Sequence, residues 1–517
     1  MIDHEAIRFL PNIPAAQAAA RSASVALEFE GRTMTFAALD ARSNAAARML
    51  DRLGAKAHDR VAWLSKNCDT FFEVFFGATL IRACLAPINF RLAPAEIQFI
   101  LTDSGANLFF VSKEFAATAR AIVAEIEREI RMIVLDEDYT ALRNAESTTP
   151  LDTAPDADDD VLQLYTSGTT GLPKGVRLTN ANYACFMEVS PQIEGFNYAS
   201  EDVVLIVMPL FHVAGTNVSF AGLAHGCRVV IVSDFIPAAV LKQVKTDRVA
   251  HMFIVPSMIQ MLLQAPEIEG MSFPHLKSIS YGASPISEAV LAAATATFGC
   301  DFIQFYGMTE SAGAGSFLSP SAHTPDKLKS CGLAWPGLEV KVCGPEGARG
   351  PEAKAHEVGQ IAIRGAAVMK GYWNRPDATR NAVVEGWLLT GDAGFKDHAG
   401  YLYMHDRVKD MIVTGGENVY PAEVENAIFG CPGVADVAVI GVPSDRWGEE
   451  VKAVIVRKPG EAVSADDVIA YARSRIARFK APKSVLFLDA LPRNASGKVL
   501  RRELRAQYWE GRERAVG

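Results

Sequence analysis

The chain has 517 residues, 49% of them hydrophobic and 21% charged, with 39 glycines and 26 prolines. That balance is globular and long enough for about three structural units, and it excludes disorder, collagen and extended coiled coil. Lys plus Arg (51) against Asp plus Glu (60) leaves a net charge of −9, so no positive field exists to hold a nucleic acid.

The N-terminus, MIDHEAIRFLPNIPAAQ, has no basic region ahead of an apolar core, and no signal peptide is expected. FEGRTMTF reads as a hairpin turning at Gly31-Arg32, followed by a helix over 37–53. A helix around 70–83 feeds the short strand LAPINF (85–90), and the acidic DTAPDADDD (152–160) reads as an exposed connector before a buried strand, 161–166. Short β-branched runs follow at 203–210, 227–232, 251–256 and 278–283, with helical stretches between them. This is an α/β fold class, with helices packed on the faces of sheets. The charge-poor stretch 203–227 is broken by Pro209, His212, Thr216, Asn217 and His225, so it does not read as a membrane segment.

Beyond residue 406 the texture becomes a smaller α+β pattern: a helix from Ala422, strands at 437–442 and 452–458, a helix from Ala465 and a strand at 484–489. A boundary is expected near Asp406–Lys409, dividing 1–406 from 407–517. No repeat of 20–50 residues occurs. The eight cysteines are scattered, with no C-x-x-C pair and no Cys/His cluster at metal-ligand spacing, and a reducing, cytoplasmic location is expected. Residues 471–514 hold twelve Lys/Arg against four Asp/Glu; a solvated helical face and an anion-binding surface both fit that run.

The most informative segment is Thr166-Ser-Gly-Thr-Thr-Gly-Leu-Pro-Lys-Gly175, directly after a strand. Gly168, Gly171 and Gly175 let the backbone turn, the hydroxyls of Thr166, Ser167, Thr169 and Thr170 offer donors, and Lys174 adds a charge, so the loop can cradle phosphate. It is not a Walker A loop, which would need Gly at Pro173 and Ser or Thr at Gly175, and VRLT after it alternates like a strand. Tyr306-Gly-Met-Thr-Glu310 ends the buried run DFIQF, at a strand's carboxyl edge where α/β sheets bind ligands. There Thr309 can meet a phosphate oxygen and Glu310 a divalent cation. Gly386-Trp-Leu-Leu-Thr-Gly-Asp392 puts a carboxylate after a glycine turn, suited to a pair of sugar hydroxyls, although an Asp in a turn is commonly a cap. The stretch 406–425 joins a fixed cation, Arg407, to the pair Gly415-Gly416 and a helix start. Pro492-Arg-Asn-Ala-Ser-Gly-Lys498 puts a lysine on a glycine-containing loop, a candidate for stabilising charge on a transferring group.

Together these segments resemble the adenylate-forming superfamily of acyl-CoA synthetases, peptide-synthetase adenylation domains and firefly luciferase. The resemblance covers nearly the whole chain, with five motifs in the family's order and spacing. The text is most similar to bacterial fatty-acyl-CoA and aryl-acid-CoA ligases, through GENVYPAEVE and the Pro-Arg-Asn-x-x-Gly-Lys ending. It implies a large N-terminal domain of layered α/β sheets plus a small β subdomain, and a small mobile α+β C-terminal domain. It also implies two steps: a carboxylate attacks the α-phosphate of Mg·ATP to give acyl-AMP and pyrophosphate, then the thiol of coenzyme A displaces AMP.

By motif position the resemblance implies that Thr166, Ser167, Gly168, Thr169, Thr170 and Lys174 hold the β- and γ-phosphates, Thr309 the α-phosphate and Glu310 the Mg²⁺. Asp392 and Arg407 would hold the ribose, and Gly282, Ala283, Ser284, Tyr306 and Gly307 would frame the adenine. Lys498 would bridge carboxylate and α-phosphate. Rotation about the hinge Lys409 would then exchange Lys498 for Gly415 and Gly416 beside the pantetheine. His212 falls in the aromatic motif at the acyl pocket or thiol tunnel, where a satisfied core histidine is the plain alternative. Trp447, with core packing as its alternative, and the basic residues Arg473, Arg475, Arg478 and Lys480 would meet coenzyme A.

Phe211, Val213, Met258 and Met308, with Gly282 and Gly307, would line the acyl pocket. No Arg or Lys stands among these positions, which disfavours a dicarboxylate, yet alkyl, aryl and alicyclic acids are all admitted. A luciferase-like oxidase and a stand-alone peptide-synthetase-type adenylating enzyme share these motifs, and a silent acyl- or nucleotide-binding paralogue is the alternative outside enzymes. The chain's ending near the expected close of the small domain favours a stand-alone ligase. Whether it pairs as a homodimer is not written in the sequence.

Overall fold

The β-branched runs of the first three hundred residues form parallel strands because both of their faces are covered. Val203–Ile206, Arg228–Ile231, His251–Ile254, Ser278–Gly282 and Asp301–Tyr306 lie parallel within a nine-stranded sheet. Arg60–Leu64, Cys84–Pro87, Leu108–Val111, Arg131–Val134 and Asp160–Thr166 form the parallel part of a seven-stranded sheet. Lys174–Thr179 and Gly371–Tyr372 extend its edge antiparallel. In this computed structural model the described residues are 2–166, 172–284, 286–407, 410–414, 417–444, 446–493 and 499–510, with backbone alone at 405–407, 417 and 418.

Two helices buried on nearly every side run through the interior. Thr70–Leu80 and Val213–His225 meet where Phe75 stacks on Phe220 at 4.6 Å, in a core continuous over both sheets. Gly77 lets Thr70–Leu80 close on Phe36–Arg52, since a Cβ there would stand 2.8 Å from that of Ala46. The charge-poor stretch from 203 is thus a four-residue strand and a 13-residue helix. Among the described residues no helix is long and apolar enough to cross a membrane.

Two local expectations need correction. The first hairpin turns at Glu30 (φ 50°) and Gly31 (φ 76°), one residue early, because a two-residue turn matching the strand twist needs positive φ at both centres. The acidic connector is not wholly solvated: Asp159 accepts two bonds from Arg82 (2.8 and 2.9 Å), and Asp160 pairs with Arg60 and Arg177, all anchoring the start of the Asp160–Thr166 strand.

A smaller antiparallel sheet follows, from Glu339–Val342, Gly359–Arg364, Val383–Val384, Trp387–Lys396 and Leu402–Arg407. From Ile412 the chain builds a further sheet of Ile412–Thr414, Glu417–Val419, Val434–Ser444, Gly448–Arg457 and Ser484–Leu488. Alternation along its two long strands covers both faces, Val439 and Ile455 on one and Ile440 and Val454 on the other. The last helix, Arg501–Trp509, has no apolar stripe to announce it: only Leu504 is buried, and Arg501 to Glu425 (2.8 Å), Arg505 to Asp410 (2.9 Å) and Trp509 to Gly441 (3.0 Å) hold it.

Candidate active site

Parallel sheets present ligand-binding loops at the carboxyl ends of their strands, and here the ends at Thr166 and Tyr306, from two different sheets, face each other. Thr166 pairs across its hairpin with Lys174; Ser167, Gly168, Thr169 and Thr170 lie outside the described residues. Gly175 leaves room for the buried Gln163 side chain, whose Nε2 would stand 2.8 Å from a Cβ there.

Glu310 joins the two sheets. It opens, with Thr309, the short turn Thr309–Ser311 after the strand Asp301–Tyr306, and is only 6% exposed. Thr166 donates its hydroxyl to Glu310 Oε1 at 3.2 Å and Tyr372 donates to the same oxygen at 3.0 Å. The Lys174 ammonium lies 5.1 Å over the Tyr372 ring, and Thr309 is half-buried beside the carboxylate. Hydroxyl and carboxylate oxygens fit Mg²⁺, which takes oxygen ligands and is commonly held by one or two carboxylates together with substrate phosphates.

The second anchor is the bond from the Tyr306 hydroxyl to Asp392 Oδ2 at 2.9 Å. Burial, then the Asp392 charge, pushes the Tyr306 phenol well above its ordinary pKa, so it stays a donor. Asp392 does not follow a turn, as the sequence suggested. It lies within the strand Trp387–Lys396, where Thr390, Gly391 (φ 75°) and Asp392 stand opposite the single residue Ile361. That bulge re-aims the side chain toward Tyr306. Asp392 is paired across the next ladder with Arg407, whose side chain lies outside the described residues.

Two glycines let neighbouring backbone pack closely beside this pair. A Cβ on Gly282 would stand 2.3 Å from the Phe305 carbonyl oxygen, and one on Gly307 2.2 Å from that of Gly313. Ala283, next to Gly282, is an L-residue at φ 66°, in the left-handed region, and is followed by half-buried Ser284.

His212 caps the helix Val213–His225, which turns away because Gly215 passes so close to the Pro209 carbonyl that a Cβ would meet it at 2.4 Å. Its ring packs on Phe211 (4.6 Å), which meets Phe90 edge-on (5.4 Å), and its Nε2 is buried with no hydrogen-bond partner. Burial, with Arg91 adding repulsion, lowers its pKa to about 4. Val213, Met258 and Met308 are partly buried against one core cluster, and Phe211 is 6% exposed.

Lys498, Lys409, Gly415 and Gly416 lie outside the described residues. Trp447 is 43% exposed, with Arg446 over its ring, and so is not a core residue. Arg475 stacks on Tyr471 at 3.4 Å, and Lys480 pairs with Glu423 at 2.6 Å. Sequence reading missed Tyr372, Phe90 and Arg91. Only the aromatic pair after Gly371 hinted at the first, and nothing marked Arg91 as the cation beside His212.

A cleft of about 690 Å³ lies elsewhere, lined by Glu201, Asp202, Arg228, Arg248 and Lys277. It opens at the amino ends of the parallel strands, the edge that loops rarely use for chemistry. Beside it His251 bonds Ser278 (2.8 Å) and Asp202 (3.0 Å), but Ser278 is 2% exposed and donates to Gly195, so this line of residues is a buried strut.

The described AMP-binding enzyme family matches residues 14–373, and the AMP-binding enzyme C-terminal domain matches 423–498. The chain is 38% identical to the fatty acid–[acyl-carrier-protein] ligase ScoC of Streptomyces coeruleorubidus over 494 residues, 94% of each chain. It is also 38% identical to a feruloyl-CoA synthase of an Amycolatopsis species, over 94% of this chain and 96% of that one. The solved structure of o-succinylbenzoate coenzyme A synthetase (MenE) from Bacillus subtilis with ATP and magnesium superposes with a TM-score of 0.85 at 31% identity, over 95% and 98% of the two chains. On matches of this extent, the chain belongs to the AMP-binding enzyme family.

Proposed function

We propose that the chain joins a fatty, aryl or alicyclic monocarboxylate to coenzyme A through an acyl-adenylate. It is an AMP-forming acid–thiol ligase, and the observation that carries the reading is the pair of anchors, Thr166–Glu310–Tyr372 and Tyr306–Asp392, set at strand ends across two sheets. In the first step a carboxylate oxygen bonds to the α-phosphorus of ATP as the bond to pyrophosphate breaks. In the second the thiol sulfur bonds to the acyl carbon, AMP leaves, and the thiol proton is lost.

Thr166 to Lys174 hold the outer phosphates, Thr309 the α-phosphate, and Asp392 with Arg407 the ribose hydroxyls. Gly282, Ala283, Ser284, Tyr306 and Gly307 frame the adenine. Mg²⁺ at Glu310 supplies neutralisation of phosphate charge. Lys498 stabilises the charge that builds only in the first transition state. Residues 407–517 swing about Lys409 to bring Gly415 and Gly416 to the thiol, with Trp447, Arg475 and Lys480 facing coenzyme A. His212, neutral above pH 4 and a weak base, orients the reacting groups at the wall formed by Phe211, Val213, Met258 and Met308. The eight free cysteines support a reducing, cytoplasmic setting.

The test is pyrophosphate release from ATP with a panel of fatty, aromatic and ring-bearing acids, with and without coenzyme A. Acid-dependent release, with acyl-CoA formed only when the thiol is present, is expected. A third arm offers the phosphopantetheine of a carrier protein, because ScoC is named for that acceptor. No release with any acid would mark a silent binder, and oxygen consumption a luciferase-like oxidase.

A further inference from the structure

We propose that Tyr372, which the reaction scheme does not use, is a positioning residue that holds the Glu310 carboxylate and the Lys174 ammonium in register before Mg·ATP enters. The inference rests on Glu310 being the metal carboxylate. Tyr372 sits on the two-residue strand Gly371–Tyr372, paired antiparallel with Lys174–Thr179 so that Tyr372 lies opposite Val176. That places one phenol between two parts contributed by different sheets: its hydroxyl donates to Glu310 Oε1 at 3.0 Å, and its face takes the Lys174 ammonium at 5.1 Å. With Thr166 donating at 3.2 Å, two hydroxyls converge on a single carboxylate oxygen and fix the plane of the group.

The tyrosine is itself held from several sides. Its N–H donates to Thr379 Oγ1 at 2.9 Å. The N–H of Trp373 donates to the Gly175 carbonyl at 2.7 Å, and its indole N–H to the Asp103 carbonyl at 3.0 Å. The Arg60 guanidinium lies 3.4 Å over the Trp373 ring, and Arg375 pairs with Asp103 at 2.8 Å. A side chain that only filled space would need neither hydroxyl nor cation.

The experiment is calorimetric titration of ATP into the full chain, with Mg²⁺ and in its absence, for wild type, Tyr372→Phe, Tyr372→Leu and Glu310→Gln, alongside thermal melting. Tyr372→Phe is expected to weaken Mg·ATP binding about tenfold, the scale of one hydrogen bond to a charged group, while metal-free ATP binding stays within about twofold and the melting temperature is unchanged. Tyr372→Leu, which also removes the platform under Lys174, is expected to weaken binding in both conditions. In the Glu310→Gln background Tyr372→Phe should add nothing. Equal losses with and without metal, or none in either, for Tyr372→Phe overturn the proposal while Glu310→Gln still alters the metal dependence. If Glu310→Gln leaves that dependence intact, the metal reading fails first and takes this one with it.

Discussion

The half of the site proposed to hold the nucleotide and the half proposed to hold the acid are built on opposite plans. Around Glu310 and Asp392 directional bonds come from strands far apart in sequence, and a bulge and two glycines serve to aim or admit them. Around His212 the neighbours are Phe211, Phe90 and an apolar wall, with one ring nitrogen left without a partner. On that proposal the difference follows from what each half recognises: Mg·ATP is the same in every turnover and rewards preorganised polar groups, whereas a hydrophobic acid would be discriminated by shape, a methylene at a time.

The largest effect is expected at Lys498, proposed to serve both halves. Lys498→Ala should lose about 10²-fold or more in acyl-AMP synthesis while still converting supplied acyl-AMP and coenzyme A to thioester, read in single-turnover assays. Equal loss in both steps would sink the two-conformation assignment, in which Lys498 acts in the first step alone.

Within the nucleotide half, Asp392→Asn should weaken ATP binding about tenfold and leave the ranking of acids unchanged. A reordered acid panel would show that the halves are not separable. Met258→Ala is the reciprocal: it should shift preference between slim and bulky acids about tenfold with the KM for ATP unmoved. Should ATP suffer instead, Met258 belongs to the other half.

The smallest effect is a slope. His212 and His225 each have a folded pKa lowered to about 4 from 6.5, chiefly by burial. Between these values the unfolded chain binds protons that the folded rings refuse. Stability present above pH 6.5 is therefore lost as pH falls toward 4. His212→Phe should flatten part of that loss in melting curves from pH 7 to 4 and change nothing above pH 7. Superimposable acid limbs would mean that His212 is not held neutral by burial.

Much of this architecture is legible in the text because it is local. Short β-branched runs between helical stretches become parallel strands wherever both faces are covered, and Thr166, Tyr306 and Glu310 could be set at strand ends by position alone. Asp392 was legible as a residue but not as a geometry: nothing in Gly-Trp-Leu-Leu-Thr-Gly-Asp distinguishes a turn from a bulge until the strand holding Ile361 lies beside it. The solvated reading of 152–160 failed for a related reason, since the partners of Asp159 and Asp160 include arginines 77 and 100 residues upstream.

By itself, then, the amino-acid order determined the α/β class, the strand-end acid and the family, and it marked the loop expected to cradle phosphate, all carried by contiguous residues whose chemistry depends on spacing of a few positions. Only tertiary structure decided that Tyr372 meets Glu310, that Tyr306 meets Asp392, and that Arg91 stands beside a buried neutral His212. Those contacts join strands of separate sheets or loops more than sixty residues apart, and chain order does not encode which distant side chains share a hydrogen bond or a desolvated pocket.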